Sequence, residues 1–92
     1  MKIGLMRFQL YIPYSHSLKN KRQIVNRLKD KIRNKFNVSV CEKPSNNSKF
    51  SEINIVCINY STEVIENTFN CIKKFVFQNR EYEVLDFCKE FL

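Results

Sequence analysis

Segments of strand and helix character follow one another along this chain in a fixed order: strand, helix, strand, strand, helix, strand. Few folds accept that order. Ile3–Ile12 alternates, with Gly4, Met6, Phe8, Leu10 and Ile12 on one face and Ile3, Leu5, Arg7, Gln9 and Tyr11 on the other. Pro13, which has no N–H to give a ladder, ends this strand. Ser15, His16 and Ser17 then offer N-cap candidates for a helix whose apolar stripe is Leu18, Ile24, Val25, Leu28 and Ile32. Phe36–Cys41 alternates as a second strand. Glu42–Ser51 is a polar loop, and Glu52–Asn59 is a third strand apolar enough to be central. Ser61 or Thr62 caps a second helix, with Val64, Ile65, Thr68, Cys71, Ile72, Phe75 and Val76 as its apolar set. Tyr82–Phe91 is the final strand.

The order β-α-β-β-α-β predicts an α+β, ferredoxin-like domain over residues 1–92. Two right-handed crossovers place both helices on one face of a four-stranded antiparallel sheet ordered 4-1-3-2. The first and third strands are then central, in keeping with their low charge.

One glycine in 92 residues excludes a Walker loop, a GxGxxG dinucleotide turn and glycine-bearing RNA-binding signatures. The net charge of +7 is concentrated in one stretch. Between Lys19 and Lys35, eight basic residues face Asp30 alone, whereas the remaining chain balances eight basic against eight acidic residues. A localised basic surface points to a polyanionic partner. Cys41, Cys57, Cys71 and Cys88 lie far apart without a nearby His, which argues against a metal site and for reduced, buried thiols in a cytoplasmic protein. No cofactor is expected. No secretory signal and no membrane-spanning run is visible.

Tyr11-Ile12-Pro13, His16-Ser17-Leu18-Lys19-x-Lys21-Arg22 and Arg33-x-x-Phe36-Asn37-Val38-Ser39-Val40-x-Glu42 resemble the YlxP-like family, the bacterial domain of unknown function numbered five hundred and three. The resemblance covers the whole chain and implies a ferredoxin-like fold with no established activity. Genes of that family often lie beside those for translation initiation and ribosome maturation factors, which leans toward ribosome-related work. Members often carry Leu-Trp-Gln-Arg-Ala after the polar loop. Here Ser48-Lys49-Phe50-Ser51-Glu52-Ile53 stands there, with Phe50 as the aromatic and Glu52 in place of the Arg.

Three function classes follow. In the first, Lys19, Lys21, Arg22, Lys29 and Arg33 on the first helix contact phosphates of RNA or of a ribosomal surface, following backbone and shape; a solvated helix face or an acidic protein partner would use the same residues. In the second, the outward sheet face carrying Ile3, Leu5 and Tyr11 joins copies into a homodimer or larger oligomer. The third and weakest is a small phosphate-handling enzyme at the Ser15–Lys19 turn, where Ser15, His16 and Ser17 open a helix whose N-terminus could hold a phosphate. His16 has no evident acid or thiol partner, so no catalytic residues are assigned.

Overall fold

The computed structural model describes residues 1–92. Its elements are β1 (Lys2–Tyr11), α1 (Leu18–Lys35), β2 (Ser39–Glu42), β3 (Phe50–Asn59), α2 (Thr62–Phe77) and β4 (Glu83–Phe91). The four strands form one antiparallel sheet ordered β2-β3-β1-β4, the expected 4-1-3-2 arrangement seen from the other edge. The fold is ferredoxin-like, with α1 and α2 burying one sheet face.

Two serines start the helices. Ser17 Oγ accepts the Asn20 N–H at 3.0 Å, and Ser61 Oγ accepts the Val64 N–H at 3.3 Å. The core joins Met6, Phe8, Leu10 and Ile12 of β1 to Ile53, Ile55 and Cys57 of β3, under Ile24, Val25, Leu28 and Ile32 of α1. From α2 come Ile65, Phe69, Ile72 and Val76. This stripe is rotated from the expected one. Phe69 lies at its centre, whereas Val64 and Cys71 are exposed. Spacing of i, i+4, i+7 and i+11 from Ile65 keeps the large side chains over the sheet.

Gly4 fixes how closely α2 can sit on β1. A methyl group there would stand 2.6 Å from Ile65 Cγ2 and 2.9 Å from the Phe69 ring. The only glycine of the chain is needed for close approach, not for an unusual backbone angle.

Two departures from expectation have physical causes, and a third concerns the thiols. β2 is shorter than Phe36–Cys41, because Phe36 serves as the C-cap of α1, its N–H donating to Ile32 O at 2.9 Å. The Phe36 ring packs edge-on to Phe75 at 6.4 Å between centroids. In β4 the ladder pairs Gln9 with Asp86 but Leu10 with Val84, so Leu85 is an extra, bulged residue. The bulge lets Val84 and Phe87, three residues apart, both pack against the core, with Phe87 5.1 Å from the Phe8 ring. Finally, Cys41, Cys71 and Cys88 are exposed, and only Cys57 is the small buried hydrophobe expected of all four.

Tyr82 closes the α2–β4 connection, its hydroxyl donating to Val76 O at 2.6 Å. Burial, aided by the charge of Glu81, pushes this phenol well up from its ordinary pKa. No helix is long and apolar enough to cross a membrane.

Candidate nucleic-acid interface

The basic segment folds as one helix of 18 residues, about 27 Å long. Its charges do not share one environment. Lys19 and Arg22 are exposed and Lys29 is half-buried; none of the three has an acidic partner. Arg27, on the opposite flank, is paired with Glu81. Arg33 is held on two sides, donating to Asp30 Oδ1 at 3.3 Å and to Val40 O at 3.0 Å. It remains at the surface, but with part of its guanidinium committed to the edge strand.

Lys21 is a correction. Its side chain is 3% exposed. The ammonium donates to the carbonyls of Asn47 at 2.6 Å, Phe50 at 3.2 Å and Ser45 at 3.5 Å. The Glu42 carboxylate stands 3.9 Å away and accepts from Ser51 Oγ at 2.7 Å. All three ammonium donors are therefore used inside the protein, and none reaches a phosphate. Lys49 does the same from the other side of this loop, bonding the carbonyls of Pro13 (2.9 Å) and Ser15. The long polar loop between β2 and β3 is thus tied both to the β1–α1 connection and to the start of α1.

The anion site is corrected at Ser15. Ser15 is buried and its hydroxyl donates to Ser17 O at 3.1 Å. Ser17 Oγ is occupied as the cap. The His16 N–H is bonded to Asn20 Oδ1 at 3.3 Å, while the imidazole is exposed and makes no hydrogen bond. Ser15 is thus turned into the protein, whereas Ser17 and His16 stay at the surface. No group of three His, Cys, Asp or Glu side chains lies close enough to hold a metal ion.

The sheet face away from the helices divides into three zones. At the end formed by Lys2 and Asn59, Ile3 pairs with Ile58 and Leu5 with Val56 across β1 and β3. Ile3 and Leu5 are half-buried; the exposed members are Ile58 (55%) and Val56 (36%). The middle is polar. Arg7 stands 3.9 Å from Asp86, and Glu52 accepts from Asn54 Nδ2 at 3.1 Å and from Gln9 Nε2 at 3.4 Å. The Asn54 hydrogen bond above all, then that of Gln9 and the charges of Lys43 and Arg7, hold the Glu52 carboxyl below its ordinary pKa against a smaller desolvation effect. At the far end Tyr11 faces Phe50, with ring centroids 5.2 Å apart and planes tilted by 32°. Starting the third strand at Glu52 missed this pair. The alternation Phe50-Glu52-Asn54, continued two residues back, contains it.

No curated protein matches the chain. Among solved structures, it is similar to the de novo designed protein Foldit4, with TM-score 0.56 and 14% identity over 98% of this chain and 97% of that one. It is also similar to LFR1 1, a de novo designed protein with ferredoxin fold solved by solution NMR, with TM-score 0.50 and 11% identity over 94% and 86%. These likenesses concern the fold alone, and the second names it. The family comparison extends from the first strand to the last: residues 3–88 match DUF503, described as a protein of unknown function, and the chain belongs to that family.

Proposed function

We propose that this protein is a non-catalytic binding module for RNA or a ribosomal RNA surface, acting through α1. The observation that carries this reading is the row of Lys19, Arg22 and Lys29, whose charges have no acidic partner although five other basic residues of the chain do. Arg22 and Lys29 stand seven residues apart, about 10 Å along the helix. No acid occupies the first turn, so the positive end of the helix dipole adds to Lys19 and Arg22 there. Contacts of this kind follow the sugar-phosphate backbone and release counterions.

With three phosphates neutralised, the slope of log affinity against log salt for single-stranded RNA is expected near −2. Replacing Arg22 and Lys29 together by Gln should reduce its magnitude by roughly 1.4. An equal reduction from Lys73→Gln with Lys74→Gln on α2 would assign binding to bulk charge. Absence of RNA or ribosome affinity at about 50 mM salt would reject the reading.

A second reading is supported by the aliphatic end of the sheet. Val56 and Ile58 are exposed over Ile3 and Leu5, in the place where self-association would cover them.

A further inference from the structure

The far end of the open sheet face combines three features that the helix reading leaves unused. Tyr11 and Phe50 form an aromatic pair on the two central strands, with no helix over them and Phe50 44% exposed. Beside Phe50 lies a cavity of about 280 Å³, lined among others by Gln9, Lys43, Glu52 and Leu85. That volume is just below the usual range of small-molecule sites, about 300–1,000 Å³, and suits one planar ring. Glu52 contributes a carboxylate to the same wall.

The polarity of this wall is defined by its hydrogen bonds. A carboxylate only accepts, so both amides must turn their NH2 groups toward Glu52, as Gln9 and Asn54 do. Two amide donors leave about half of its lone-pair sites open. The cavity therefore presents an acceptor edge that calls for adjacent donors. Among the nucleobases, guanine offers this on its pairing edge, with N1–H next to the N2 amino group. Adenine, cytosine and uracil each place an acceptor next to their donor.

We infer that Phe50, braced by Tyr11, and Glu52 form a seat for a guanine base of single-stranded RNA, stacked on Phe50 with its N1–H and N2–H donating to the carboxylate. Lys43, on the rim of the cavity, supplies a point charge for the adjoining phosphate. Stacking on an aromatic ring contributes about 1–3 kcal/mol per base and does not depend on which base is stacked. The carboxylate supplies the choice. This seat lies across the sheet from α1 and does not rest on the helix reading.

The test uses short uridine oligoribonucleotides with a central guanine, adenine, cytosine or uracil, titrated by fluorescence anisotropy at about 50 mM salt. The guanine strand should bind roughly 5- to 100-fold tighter than the others, the discrimination of a good bidentate contact. Glu52→Gln should abolish that preference with the far-ultraviolet circular dichroism unchanged. Phe50→Ala should weaken all four strands. Amide NMR shifts on adding the guanine strand should centre on Gln9, Phe50, Glu52 and Lys43. Equal affinity for the four strands, no binding of any, or a preference that survives Glu52→Gln would overturn the seat. Guanosine monophosphate binding as tightly as the strand would replace the RNA with a free nucleotide, and a dimer covering Phe50 would replace it with a second copy. Arg22→Gln with Lys29→Gln should alter the salt slope and leave the guanine preference intact, so failure of either site is read separately.

Discussion

Replacing Lys21 by methionine keeps the aliphatic stem in α1 and removes only the ammonium. Three backbone carbonyls then lose their donor, and Glu42 loses its nearest cation. Leaving one side of a buried ion pair alone costs about 3–5 kcal/mol; partial exposure of Glu42 puts the expected loss near the lower end. Urea denaturation of Lys21→Met should show it, while the salt slope for RNA stays that of the unaltered protein. A changed slope would return Lys21 to the interface. The side-chain pattern marks Lys21 as odd, since a charged residue falls on the apolar stripe. It does not reveal the partners, because they are backbone carbonyls 24 to 29 residues later, and carbonyls carry no sequence signature.

Between elements, spacing is set by whichever side chain is smallest at the contact. Gly4 allows Ile65 and Phe69 onto β1, so Gly4→Ala pushes α2 outward or forces those side chains off their rotamers. A destabilisation of about 1–3 kcal/mol is expected in denaturant or thermal unfolding. A neutral result would mean that α2 shifts freely. The number, type and order of elements were legible because alternation and helical spacing survive in nearly every segment. Crossover handedness then leaves one strand order. The first residues of β3 were hidden because Ser48, Lys49 and Ser51 continue the polarity of the loop before them. That concealed the Tyr11–Phe50 pair and with it the aromatic end of the open face. The bulge at Leu85 was concealed for a different reason: the paired strand, not the bulged one, sets which residue is extra.

On the scale of the whole molecule, the helix side and the sheet side have different characters. The helix side carries the unpaired charge, which repels a second copy of itself. The sheet side offers aliphatic groups at one end and polar groups internally paired in the middle. If copies associate, the aliphatic end is where they meet. Light scattering at high micromolar concentration should then give a mass above that of one chain, and Leu5→Glu should return it to the monomer with the fold retained. A monomeric unaltered protein would remove this reading while leaving α1 and the guanine seat untouched.

The exposed thiols turn that two-sidedness into something that can be watched. Cys41 pairs with Asn54, which pairs with Arg7, which pairs with Cys88, so two of them bracket one rung of the open face. Cys71 belongs to the opposite layer, on α2. A dye or a methylthio group placed on Cys41 or Cys88 sits beside the sheet surface, and one placed on Cys71 sits on the helix layer. Differential alkylation, followed by mass spectrometry, therefore footprints each side of the molecule in a single sample and with no engineered label. Whatever binds this protein, its own cysteines record which side it came from.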